Sequence, residues 1–171
     1  MAYSAVRGFA WGICIGSYQL QGDFKGAQDA LYASLEEDRY HGNTFPISPL
    51  IAYCTVSWMA TDLIALEQSA LHLLKLTDER NLPGNQAWAY HFLGCAAYQR
   101  NDLASAEQAF AAVVSKRRNA HGHVFWQGAV GLASVYLAQG AGERAQALGD
   151  SLLAAAWEMG SVGAMRDAQQ R

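Results

Sequence analysis

The chain has 171 residues, of which 51% are hydrophobic and 16% are charged, and its formal net charge is −3. This length suits one domain or one continuous stack of repeats. The net charge is negative and the sequence has no basic stripe. This argues against direct binding to nucleic acid, because proteins that bind nucleic acid neutralise phosphates with Lys and Arg. No run of about 18 uncharged apolar residues points to a membrane span, and residues 1–7 lack the pattern of a secretory signal.

Four short breaks divide the chain at a nearly constant interval. Their first residues are 39, 40 and 39 positions apart, and the breaks are Gly22-Asp23-Phe24, Thr61-Asp62-Leu63, Asn101-Asp102-Leu103 and Gly140-Ala141-Gly142. Asp at the second position can cap the amides that open the next helix. Gly or Asn at the first position suits the left-handed residue that closes the previous helix. Each period therefore predicts a helix, a tight turn and a second helix.

This period predicts an all-α solenoid, a single helical-repeat domain over residues 1–171 built from about four helix hairpins. The first helices are predicted near 4–21, 47–60, 86–100 and 122–139. The second helices are predicted near 24–38, 62–79, 103–117 and 142–158. The corresponding repeats are 4–40, 46–80, 85–118 and 121–158. Residues 160–171 are expected to begin a further helix that is cut short, which indicates a fragment of a larger protein.

Residues on both sides of the third break carry the most specific pattern. Trp88 to Gly94, followed by Tyr98 to Phe110, reads W-A-x-x-x-L-G…Y-x-x-N-D-L-x-x-A…F, and Gly131-Leu132-Ala133 opens a similar helix further on. These stretches resemble tetratricopeptide repeats, which form right-handed α-solenoids, although the period is longer than the usual 34 residues. More narrowly, they resemble the sensor region of MalT-like, ATP-dependent LuxR-family transcriptional regulators. The resemblance is strong over 84–158 and moderate over 5–80.

In that family, a P-loop ATPase precedes the repeat sensor and a C-terminal helix-turn-helix domain binds promoters. This chain has no Gly-x-x-x-x-Gly-Lys-Ser/Thr loop and no basic recognition helix, so the resemblance implies the sensor segment alone. Its expected partners are an inducer or a protein segment, together with the ATPase and DNA-binding domains of the parent chain. Self-association is a further option, and no cofactor is expected in this segment.

The tetratricopeptide register places seven side chains of the first helices toward a concave groove. Such grooves offer aromatic area with a few fixed polar groups, which suits peptides and small molecules. Any one of these residues could instead serve only to pack the helices together. The prediction of a binding groove therefore rests on the set as a whole. The candidates for binding a ligand or partner are Thr55, Trp58, Trp88, His91, Cys95, Gln127 and Ser134.

Two other constellations are weaker. His121 and His123 are two positions apart, so they do not share a helical face, and we interpret them as loop histidines rather than metal ligands. His91 and Cys95 are four apart on one helix, but the sequence supplies no oxyanion donors or orienting acid. We therefore predict packing or ligand contact at this pair, no catalytic residues, no metal site and no enzymatic activity.

We interpret the charge runs and the cysteines as structural features rather than functional sites. We expect Lys116-Arg117-Arg118 to favour the dipole at a helix end and Glu36-Glu37-Asp38 to form a solvated helix end, with contact to a basic domain as the alternative. The three cysteines, an odd number, are Cys14, Cys54 and Cys95. Each lies in an apolar stretch, and we expect each to be a small buried side chain. Free thiols suit a reducing cytoplasm.

The predicted function is the effector-sensing segment of a MalT-like LuxR-family activator, with an inducer or partner bound in the groove. A ligand would shift the superhelix between two curvatures through its different affinity for each. The alternative is a general tetratricopeptide scaffold for protein–protein interaction. Clamps for a peptide carboxylate need Lys, Arg and Asn in the groove, and the predicted groove positions are mostly aromatic and small.

Overall fold

The protein is all-α, and a computed structural model describes residues 2–41, 47–116 and 122–154. Eight helices pack in sequence as four hairpins, which confirms the predicted fold class. Hairpins 1 to 4 are named in chain order. The helices are α1 (Ala2–Leu20), α2 (Phe24–His41), α3 (Ile47–Met59), α4 (Leu63–Glu79), α5 (Pro83–Gln99), α6 (Leu103–Ser115), α7 (Gly122–Ala138) and α8, described over 142–154.

The helix bounds agree with the predicted map to within three residues, and the largest differences are the end of α2, at His41 rather than 38, and the start of α5. The sequence predicts that this helix begins near residue 86, but the structure begins α5 at Pro83. Proline is favoured at the first position of a helix because its missing N–H would have no partner there. The predicted stretches 155–158 and 160–171, Arg117, Arg118 and His121 lie outside the described residues, and the fragment interpretation stays a prediction.

The turn inside each hairpin is the same local structure, and it confirms the interpretation of the four breaks. Gly22, Thr61, Asn101 and Gly140 have positive φ angles of 73°, 57°, 59° and 74°. At the third turn, the Asp102 backbone N–H donates to the Ala97 carbonyl at 3.0 Å, and its carboxylate accepts from the Ser105 N–H at 3.1 Å. This combination closes one helix and opens the next.

The first helices of neighbouring hairpins contact one another, in the pairs α1–α3, α3–α5 and α5–α7. Each second helix contacts the first helix of the following hairpin, but among α1 to α7 no two second helices are in contact. The stack therefore curves with the first helices on its inner side. We call the surface formed by α1, α3, α5 and α7 the inner face.

Phe110 of α6 joins hairpins 3 and 4. Its ring is 3% exposed and lies against two glycines, Gly94 of α5 and Gly131 of α7. A Cβ atom at Gly94 would lie 2.7 Å from the nearest ring carbon, and one at Gly131 only 2.5 Å away. These two positions must therefore lack a side chain for α5 and α7 to approach the ring. The same contact explains the Leu93-Gly94 and Gly131-Leu132 pairs of the sequence.

At the other end of the stack, Trp11 packs partly buried against the core. Its indole Nε1 donates to the Glu37 carboxylate at 2.6 Å. Glu36 is exposed, as predicted for this acidic helix end, whereas Glu37 is only partly exposed and accepts the hydrogen bond from Trp11. Asp38 lies outside the described side chains.

The three cysteines are free. Cys54 and Cys95 are buried as predicted, whereas the prediction is wrong for Cys14, which is exposed on α1. Within the ranges that the structure describes, no helix is long and apolar enough to cross a membrane.

Replacing Gly131 with Ala should lower the free energy of unfolding by about 1–3 kcal/mol, because the added methyl group meets a ring already held against a second glycine. The higher helix propensity of Ala, about 1 kcal/mol, offsets this only in part. Denaturant unfolding measures the change. Gly149→Ala in α8 is the control, since a Cβ there meets nothing within 4 Å. A Gly131→Ala protein as stable as the parent would contradict the close packing.

Candidate functional site

A cavity of about 530 Å³ opens on the inner face, where hairpins 2, 3 and 4 meet. This volume lies within the usual range for sites that bind small molecules. Among the residues that the structure describes, none with an Asp, Glu, Lys or Arg side chain lines it. We call it the aromatic cavity, and its lining residues are Trp58 of α3, His91, Cys95, Tyr98 and Gln99 of α5, Phe110 of α6, and His123, Trp126, Gln127, Val130, Gly131 and Ser134 of α7.

The structure brings five of the seven predicted groove residues together in this cavity. They are Trp58, His91, Cys95, Gln127 and Ser134. They converge because residues three or four apart share one face of a helix, and α3, α5 and α7 turn these faces toward the same space. Their role in binding stays a prediction.

The other two predicted residues, Thr55 and Trp88, lie outside the aromatic cavity. The Thr55 hydroxyl donates to the Ile51 carbonyl one turn earlier, at 3.0 Å. Trp88 stacks on Phe92 with ring centroids 5.9 Å apart and presents its edge to His91 at 6.3 Å. Trp88 also borders a second, smaller depression of about 330 Å³ on the inner face.

Several lining residues were missed by the sequence reasoning. Phe110 lies on a second helix, which the groove register does not consider, and Trp126 lies one position away from Gln127 on α7. His123 was interpreted as a histidine at the entry to the first helix of the fourth repeat; it is the second residue of α7, and it also borders the cavity. The signal available in the sequence is the spacing of two apolar residues, Trp126 and Val130, four apart on one helix, and the structure leaves both exposed. The remaining missed residues are Tyr98, Gln99 and Gly131.

His91 is the most buried polar residue of the cavity, with 5% of its surface exposed. Rings surround it: Phe92 at 5.3 Å, Phe110 at 6.0 Å and Trp58 at 6.3 Å between centroids. Burial, with a smaller contribution from His123, lowers the pKa of His91 to about 4. The imidazole is therefore neutral at neutral pH. Its Nδ1 atom is buried and makes no hydrogen bond.

Cys95 lies one turn after His91, and its Sγ atom is 3.7 Å from the His91 Nε2 atom. Burial raises the pKa of the Cys95 thiol to about 12. The pair is thus a neutral thiol beside a neutral imidazole, without the thiolate that a cysteine nucleophile requires. This geometry suits packing or contact with a ligand.

Gln127 supplies the second polar atom of interest. Its Oε1 atom is buried and accepts no hydrogen bond. A buried polar atom left without a partner destabilises the folded protein by about 1–3 kcal/mol. A bound molecule that donates a hydrogen bond to Oε1 would remove this destabilisation. Among the residues that the structure describes, no group of three or more His, Cys, Asp or Glu side chains is arranged to hold a metal ion.

Comparison with models of known protein families and with curated proteins gave no match. Among solved structures, the crystal structure of BtubC (BKLC) from P. vanneervenii is similar to this chain, with a TM-score of 0.73 and 16% sequence identity. The match covers 92% of this chain and 66% of BtubC, so the chain spans just under two thirds of that protein. At this identity the likeness shows the fold alone, a stack of helix hairpins like that of a protein with tetratricopeptide repeats.

The buried neutral His91 predicts a loss of stability in acid. In the unfolded chain its pKa returns to about 6.5, so the unfolded state binds the proton more readily between that value and about 4. The free energy of unfolding should therefore fall as the pH falls through this window, with about 3 kcal/mol coming from His91. His91→Phe should remove this part of the pH dependence in denaturant unfolding, whereas His72→Phe, at an exposed position, should keep it. Equal pH dependence in the parent and His91→Phe would contradict the account.

Proposed function

We propose that the chain is a binding scaffold of the tetratricopeptide type, which holds a segment of a partner protein at the aromatic cavity on its inner face. The observation that carries this proposal is the convergence of three first helices on one cavity, whose described lining is rich in rings and holds no Asp, Glu, Lys or Arg side chain. The proposed role is binding rather than catalysis, and it needs no cofactor.

Exposed apolar groups at the cavity support a contact with a partner. Trp126 is 39% exposed and Val130 is 67% exposed, so both meet water when the inner face is uncovered. Burial of apolar surface stabilises a complex, and aromatic side chains in the middle of an interface contribute most of it. The described lining holds no Asp, Glu, Lys or Arg side chain, which favours a partner segment that enters through apolar and uncharged polar groups.

The second candidate is the effector-sensing segment of a MalT-like LuxR-family regulator. The cavity volume favours it, because about 530 Å³ suits a small inducer as well as a side chain. A ligand there would contact hairpins 2, 3 and 4 together, and so would bias their relative placement. In this candidate the signal passes to the ATPase and DNA-binding domains of a parent chain, with self-association as a further step. The transcriptional role is supported by the sequence resemblance alone.

Free thiols at Cys14, Cys54 and Cys95 support a reducing compartment, and we propose the cytoplasm as the location. Direct contact with nucleic acid or with a membrane is not part of the proposal.

Peptides selected from a random display library on this protein should bind at the cavity. Val130→Lys should weaken their binding about tenfold or more, because the contact would then bury a charge without a partner. The control is Ile64→Lys on α4, since Ile64 is 68% exposed, almost the same as Val130, but lies on a second helix away from the cavity. Affinity is measured by fluorescence polarisation of labelled peptides.

Thermal-shift measurements with a metabolite library separate the two candidates. Stabilisation by a small metabolite, lost in Val130→Lys and absent for every selected peptide, would replace the scaffold with the effector sensor. Peptide binding that Val130→Lys and Ile64→Lys weaken equally would overturn the inner face as the binding site.

A further inference from the structure

Two buried polar atoms lack a hydrogen-bond partner, and both belong to residues that line the aromatic cavity. They are His91 Nδ1 and Gln127 Oε1, and no other buried side-chain nitrogen or oxygen is left in this state among the side chains that the structure describes, over 10–37, 47–116 and 122–154. Buried polar groups in native proteins are normally satisfied, so each exception requires an explanation. Because both residues line one cavity, a ligand that reaches either atom can supply its missing partner.

The two atoms place different demands on a ligand. An amide oxygen only accepts, so Gln127 Oε1 requires an N–H or O–H donor. A neutral imidazole has one donor and one acceptor nitrogen, and the tautomer follows its partners. Since the Nε2 atom of His91 faces the Cys95 thiol at 3.7 Å, Nδ1 is the nitrogen left for a ligand and can serve in either role. Gln127 therefore sets the firmer requirement.

The walls restrict the ligand further. Rings of Trp58, Tyr98, Phe110 and Trp126 line the cavity, and flat rings stack well on one another and edge to face. A charged ligand would lose its hydration there without meeting an Asp, Glu, Lys or Arg side chain of the described lining. The fitting group is accordingly planar, aromatic and uncharged.

We infer that the aromatic cavity binds an uncharged aromatic ring that carries an N–H or O–H donor, such as an indole or a phenol, and that Gln127 Oε1 accepts the hydrogen bond from it. This inference rests on the proposed function, since it names the chemical group that the cavity takes. The ring comes either from a Trp or Tyr side chain of a partner segment or from a free small molecule, and the chemistry is the same for both.

Isothermal titration calorimetry with the intact protein and two matched probes tests the inference. Indole carries the N–H donor, whereas 1-methylindole has almost the same shape and lacks it. Indole should bind about tenfold more tightly than 1-methylindole, as expected for loss of one hydrogen bond. Indole-3-acetate, which carries a negative charge, should also bind more weakly than indole.

Gln127→Leu and Gln127→Met remove the acceptor while keeping the length of the side chain close to the original. Both variants should bind indole and 1-methylindole with equal affinity. The control is Gln108→Leu, because Gln108 is exposed on α6 outside the lining of the cavity and should not affect the preference for indole. Circular dichroism of each variant checks that the helices are intact, and the second variant at position 127 serves if the first fails to fold.

Tight binding of N-acetyltryptophanamide would support the ring chemistry and identify a peptide side chain as its source. Binding of indole without binding of the capped amino acid would support the same chemistry with a free small molecule as the source. Failure of indole to bind, or a preference for indole that persists in both Gln127 variants, would overturn the inference. If indole binding fails in this way but Val130→Lys still weakens the binding of selected peptides, the proposed function stands and only the inference about the aromatic ring is overturned.

Discussion

The ring of Phe110 lies where α5, α6 and α7 meet, and much of the structure depends on its position. Because Gly94 and Gly131 carry no side chains, the first helices of hairpins 3 and 4 both come into contact with the ring. The same ring forms part of the wall of the aromatic cavity. One contact therefore sets the distance between the two hairpins and the shape of the space between them, which ties stability and binding to the same residues.

The cavity contains polar side chains that destabilise the folded protein, whereas the packing in the rest of the stack stabilises it. The stack gains stability from repeated local turns and from apolar burial between successive helices. At the cavity, a neutral histidine is held among rings and two polar atoms have no partner. Residues chosen for packing alone would be apolar here. The departure from good packing at His91 and Gln127 is the physical reason for locating function at this place in the stack.

The sequence predicts features that local chemistry determines, and it fails where tertiary packing decides. The turns were predictable because a left-handed residue followed by a capping Asp forms the same structure wherever it occurs, as at Asn101-Asp102. Helical spacing also placed His91, Cys95 and Gln127 on the inner face. It could not show that Phe110 reaches the cavity from a second helix, that Trp88 stacks on Phe92 instead, or that Cys14 is left exposed, since each depends on how neighbouring hairpins pack.

The central claim, that the cavity between hairpins 2 and 4 is the binding site, is tested most directly through the indole N–H signals of the five tryptophans. In a ¹⁵N-labelled sample these signals are assigned by Trp→Phe substitutions and followed while unlabelled indole is added. The account predicts saturable shifts for Trp58 and Trp126, which line the cavity, and none for Trp11, which is bound to Glu37 in hairpin 1. Shifts at Trp11 as large as those at Trp58 and Trp126, or no shift at either cavity tryptophan, would contradict it.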